Sequence, residues 1–214
     1  AAGVRRFVFL SSVKAMGEWS PPGRALTEAD AARPEDAYGV SKREGEQALV
    51  ETAAERGMET VILRAPLVYG PGVKGNFLRL LRLVDRGLPL PFGAVANRRS
   101  LVARANLVSA LRLCVEGEAA SGQIFLVADG EDLSTPELVR RLARALGTAP
   151  RLLPVPSGML RAAGRIAGRS AELARLTGDL AVDASLIRAR LGWRPIVGVE
   201  AALAETAAWY RRQR

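Results

Sequence analysis

The chain has 214 residues, 49 % of them apolar, enough to bury a sizeable core in one large domain or two small ones. One cysteine and no histidine exclude an internal disulfide, a Ser-His-Asp triad, an H-E-x-x-H zinc site and a histidine general base, so proton transfer must use Tyr, Lys, Asp, Glu or Cys. The net charge of +9 is dispersed and carried almost wholly by Arg, with Lys only at positions 14, 42 and 74, which argues against a nucleic-acid-binding strip.

In chain order, "VRRFVFLSS" has apolar residues on both faces from Phe7 to Leu10, the pattern of a strand in a parallel sheet, and ends in the hydroxyls of Ser11 and Ser12. The preceding "AAG" reads as the last turn of a helix. A Pro-, Gly- and acid-rich loop from Gly17 to Asp36 leads to a helix over Ala37 to Arg56, closed by a left-handed cap at Gly57. "METVILRAPLVYGPG" is the next buried strand, which makes strand, helix and strand a βαβ unit. Helices follow over Asn76 to Arg86 and Arg104 to Glu116, with "GLPLPFG" between them as an extended connection. "GQIFLVADG" is a further strand. "STPELVRRLARALG" is a helix capped by Ser134 or Thr135, with Pro136 in its first turn, Glu137 completing a capping box and Gly147 at its end. Helices over Met159 to Leu176, Asp183 to Leu191 and Val199 to Arg212 complete an α/β chain. No apolar run approaches the roughly 20 residues of a bilayer span, and "AAGVRRFVFLSS" lacks the layout of a signal peptide, so a cytoplasmic protein is expected. Cys114 sits among leucines at helical spacing and is expected to be a buried thiol.

Tyr38 and Lys42 are four residues apart on the first helix, so the ammonium can lie beside the phenol and favour the phenolate. Ser12 ends the preceding strand, where open α/β sheets place their ligands. The spacing alone is also met by ordinary helices. The order "FVFLSS", "YGVSK", "ILRAPLVYGPG" and "VDASLIRARLGWRP" is far more specific, and it resembles the extended short-chain dehydrogenase/reductase family, in particular its NAD-dependent epimerase/dehydratase branch.

The resemblance implies a Rossmann-like parallel sheet with helices on both faces, built here from residues 1–72 and 100–130. A small, mostly helical substrate-binding subdomain would take 73–99 and 131–214. It implies NAD as cofactor, with NADP open, a nucleotide-sugar substrate, and the homodimer common among family members. Tyr38 would be the general base, Lys42 would bind the nicotinamide ribose and Ser12 the reacting oxygen. Ser11 and the backbone at Ala65 and Pro66 would join Tyr38 and Lys42 at the cofactor. Asn76, Phe77 and Phe92 would line the nucleotide, and Arg99 would clamp the diphosphate. Asn76 equally suits a helix N-cap, Phe92 the core, and Arg98 or Arg104 the place of Arg99. Lys74 and Trp19 read first as loop residues that a phosphate or a sugar ring would reach. Arg161, Arg165 and Arg169 form a basic stripe that reads as a solvated face before a lipid-contacting one.

Three departures from the family pattern refine the expectation. Val13 and Lys14 stand where dehydratases carry an acidic pair, which disfavours elimination of water. Leu67 stands where epimerases of UDP-glucose place a substrate-contacting asparagine, so the sugar is open. The glycine-rich G-x-x-G-x-x-G turn that seats the pyrophosphate is absent, so the chain reads as part of a longer fold whose first strand here would lie at an exposed edge. The expected activity is 4-epimerisation through a 4-keto sugar. A net reductase or dehydrogenase using the same residues, and a non-catalytic nucleotide-sugar or partner-binding module, are the alternatives.

Overall fold

The structure, a computed structural model, describes residues 3–168 and 170–213. Ala1, Ala2 and Arg169, which fall in two of the segments singled out above, lie outside them. Strand β1 (Arg6–Ser12) leads through a short 3-10 turn at Val13–Ala15 and a long loop to helix α1 (Ala37–Arg56). Strands β2 (Glu59–Ala65) and β3 (Leu67–Tyr69), helix α2 (Gly75–Asp85), strand β4 (Leu101–Ala103), helix α3 (Arg104–Glu116) and strand β5 (Ile124–Leu126) follow. The rest is helical: α4 (Thr135–Leu146), α5 (Ser157–Ile166), α6 (Ser170–Thr177), α7 (Ser185–Leu191) and α8 (Val199–Arg212).

β1, β2 and β5 form a parallel sheet in the order β1-β2-β5, with Ser12 opposite Ala65 in the register. β2 is central and covered on both faces: Val61 and Leu63 on one and Ile62 on the other are all buried. β1 is the sheet's edge, and its Phe7 and Leu10 are exposed. Helices α3 and α7, with Trp193, close one face of this sheet over Val61, Leu63 and Phe125. A second, larger core holds α2, α4 and α8 around Leu81, Leu142 and Leu203.

Three elements depart from the expectations. "METVILRAPLVYGPG" is two strands, because Pro66 has no N–H to give a ladder. The chain beyond it leaves the first sheet and β3 pairs with β4 in a separate parallel pair. The helix over Met159 to Leu176 is also two, since Gly168 adopts φ 65°, a left-handed conformation that ends α5. In α4, Ser134 is the cap and accepts from the Glu137 amide at 3.2 Å, but the box is half made. The Glu137 carboxylate turns to Arg141 Nε at 2.8 Å, an ion pair one turn along the same face.

Candidate active site

The expected trio is placed by β1 and α1. Asp36 caps α1, accepting from the Gly39 amide at 2.7 Å, so the helix begins immediately before Tyr38. Tyr38 is 54 % exposed in this first turn. One turn on, Lys42 Nζ donates to Leu10 O at 3.2 Å and lies 5.0 Å from the Phe9 ring centroid and 5.8 Å from that of Tyr38. The ammonium is thus pinned to the carboxyl end of β1, beside the phenol, with Ser12 two residues beyond its carbonyl anchor. Ser12 Oγ accepts from the Lys14 amide at 3.2 Å and keeps its own hydrogen as a donor.

α1 lies close on β1 because glycine faces it. A Cβ on Gly39 would collide with the Lys14 carbonyl oxygen, and one on Gly45 would stand 3.1 Å from Phe9 Cζ. Gly39→Ala is therefore expected to force the first turn off its seat and destabilise the fold by about 2 kcal/mol. Urea denaturation measures this, and a variant as stable as the parent would show that the turn gives way freely.

Beneath the trio lies a buried charge pair. Glu46, on the same helix face one further turn along from Lys42, is 1 % exposed and Arg64 of β2 is 2 % exposed. Arg64 donates to both Glu46 oxygens, at 2.9 and 2.6 Å, Ser11 Oγ donates to the same carboxylate at 2.6 Å, and Arg43 approaches at 3.3 Å. Burial alone would raise the Glu46 carboxyl, but the Arg64 and Ser11 hydrogen bonds more than offset it and hold it below its ordinary range. The Ser11 hydroxyl, expected at the cofactor, is spent on this network. Its signal in the sequence is a lone arginine within the apolar run "VILRAP", which requires a buried anion.

At the mouth of the site four charges close a ring. Lys14 Nζ contacts Glu18 at 2.7 Å and Asp36 at 2.5 Å, and Arg175 of α6 contacts Glu18 at 3.0 Å and Asp36 at 3.2 Å. The Lys14 hydrogen bond, with the Gly39 amide, holds the Asp36 carboxyl down at about 2. Arg99 lies on the same side, near enough to feel Glu18 and Arg175, and burial lowers the pKa of its guanidinium, which stays charged. Its backbone is fastened on both sides, to Leu133 and next to Leu180, and its NH1 donates to Gly178 O at 3.2 Å. The Trp19 ring packs closely against Gly178, where a Cβ would collide with it. The two arginines that stood as alternatives are engaged elsewhere: Arg98 with Asp132 at 2.8 Å, and Arg104 with the carbonyl of Pro71.

The remaining residues are less close to the trio. α2 begins after Lys74, so Asn76 is not the cap and stands exposed in the first turn. Phe77 and Phe92 are 3 % and 6 % exposed in the larger core, Phe77 stacked on Tyr69 with centroids 5.7 Å apart, and they offer a ligand little surface. Lys74 and Arg104 line a cavity of about 300 Å³ at the Tyr69–Lys74 loop, which none of Ser12, Tyr38 and Lys42 lines. Cys114 is fully buried and its thiol is pushed up to about 11 by that burial. Arg161 and Arg165 are exposed on α5.

β1 ends in Ser12 and α1 presents Tyr38 and Lys42 beside that end, the arrangement that the resemblance to short-chain dehydrogenases/reductases implies. The chain belongs to the NAD dependent epimerase/dehydratase family, whose model matches residues 1–128. It is 46 % identical over 207 residues to the UDP-glucose 4-epimerase of Vibrio cholerae, covering 96 % of this chain and 63 % of that protein. It is 29 % identical over 167 residues, 74 % of the chain, to an undecaprenol-linked N-acetylglucosamine 4-epimerase of Escherichia coli O157:H7, of which it covers 48 %. The Thermus thermophilus UDP-glucose 4-epimerase, solved with NAD, superposes with a TM-score of 0.76 at 26 % identity over 98 % of this chain and 65 % of that one. The chain thus spans less than two thirds of each of these relatives. Among the described residues no helix is long and apolar enough to cross a membrane.

Proposed function

We propose that this chain carries the catalytic and sugar-binding part of an NAD-dependent 4-epimerase of a nucleotide-linked sugar. The observation that carries the reading is the Lys42 ammonium fixed between the Leu10 carbonyl and the Tyr38 ring, one turn above the Ser12 end of β1. The 46 % identity to a UDP-glucose 4-epimerase supports the choice of reaction.

The residues present fit the nicotinamide end of a dinucleotide. Lys42 has one protein carbonyl acceptor, which leaves donors for ribose hydroxyls, and the register brings Ala65 beside Ser12, with Pro66 next in the chain. The glycine-rich turn for the pyrophosphate is not in this sequence, so no residue here is assigned to it. A bound dinucleotide would supply the hydride chemistry at C4 of the sugar, removal from one face and return to the other. Tyr38 takes the proton of the C4 hydroxyl as the hydride leaves and gives it back as the hydride returns, with the Lys42 ammonium held beside its ring. Ser12 donates its free hydrogen to the same oxygen and holds it within reach of the phenol. Arg99 holds the diphosphate and Asn76 meets the nucleotide, while Phe77 and Phe92 are buried in the larger core. NADP is the alternative cofactor, and a second copy of the chain would dock on the largely exposed α1.

The test is the natural gene product incubated with NAD and UDP-galactose. Conversion to UDP-glucose without net NADH is expected. Net NADH would favour a dehydrogenase, and UDP binding with neither conversion nor dinucleotide affinity would favour a binding module.

A further inference from the structure

We infer that Lys14 is a positioning residue that fixes Ser12 and Tyr38 relative to one another, an inference that rests on the epimerase reading for its catalytic consequence. Lys14 is joined to Ser12 and to Asp36 and Gly39, the residues that bracket Tyr38. Its amide donates to Ser12 Oγ at 3.2 Å, which holds the serine oxygen in place. Its ammonium holds Asp36 at 2.5 Å, and the other oxygen of Asp36 caps the helix at Gly39, the residue after Tyr38. Its carbonyl oxygen meets Gly39 directly, at the position where no side chain fits. One residue therefore touches the loop end of β1 and the first turn of α1 through three separate groups.

The ion pairs differ from ordinary surface bridges, which contribute little. Glu18 is buried, and Arg175 closes the ring from α6, so two cations alternate with two carboxylates and each carboxylate has two cationic partners. The ring is neutral and offers no net attraction to an anionic substrate. Its effect is geometric: it ties the cap of the tyrosine helix to the strand end bearing the serine and to the helical lobe bearing Arg175. Productive geometry is needed to within a fraction of an ångström, and an error of about 1 Å can lower turnover about 100-fold.

Lys14→Met and Lys14→Arg in the natural gene product test this with two readouts. By hydrogen exchange, amides of residues 36–42 should exchange about tenfold faster in Lys14→Met, while those of residues 139–146 in α4 stay unchanged. In UDP-galactose turnover, kcat should fall about 100-fold with KM held within about twofold, and Lys14→Arg, which can still bridge both carboxylates, should recover most of kcat. Unchanged exchange over residues 36–42 would overturn the link whether or not the parent epimerises. Undiminished kcat, or a loss confined to KM, would overturn the catalytic role. A parent protein without epimerase activity would remove the reaction proposed above, and the exchange result would still decide whether Lys14 holds the two segments together.

Discussion

Tyr38→Phe is expected to lower 4-epimerisation by about a thousandfold, the size of a positioned acid-base group, while leaving the fold intact. The hydroxyl sits on a half-exposed ring in the first turn of α1, so its removal leaves no buried partner unsatisfied and should change stability by less than about 0.5 kcal/mol. Lys42 keeps its anchor on Leu10 O in the variant, so substrate and cofactor affinity should survive. Coupled conversion of UDP-galactose, with a thermal melt of the same sample, measures both. Activity within about tenfold of the parent would place the proton transfer on another group.

Glu46→Ala is expected to have the largest effect on stability, about 3–5 kcal/mol, because it strands the Arg64 guanidinium in the interior with its carboxylate gone and removes the acceptor of Ser11. For a chain of this size that corresponds to a fall in Tm of roughly 10 °C. The double change Glu46→Leu with Arg64→Met should recover most of the loss, since apolar groups of similar volume often replace a buried pair at little cost. Denaturant titration of the three variants separates the outcomes. If the double variant is no more stable than Glu46→Ala, the interior around the pair tolerates no apolar substitute, and its charge is needed for the packing of α1 on β2.

Much of the fold was legible locally. The cap residues Gly57, Ser134 and Gly147 act at short range, and helices α1, α3, α4 and α8 begin and end where the pattern placed them. The capping box at Glu137 failed because Arg141, one turn away, competes for the same carboxylate. In "VILRAPLVY" the apolar run continues through Pro66 and hides the break between two strands. The sheet to which each half belongs depends on partners at residues 101–103 and 124–126, far along the chain.

The candidate site divides in the same way. Tyr38, Lys42 and Ser12 follow from the sequence, because a spacing of four residues on a helix and the end of a strand are local geometry. The order of motifs that led to the family is likewise a property of the linear chain. Only the tertiary structure decided that Arg64 meets Glu46, that Phe77 and Phe92 are spent on the core, and that Arg175 reaches across from α6 to Glu18 and Asp36. The ion-pair contacts join residues from 18 to 157 positions apart. Side-chain type fixes what such a residue can bond to, but its partner is set by how the helices and sheet pack around it.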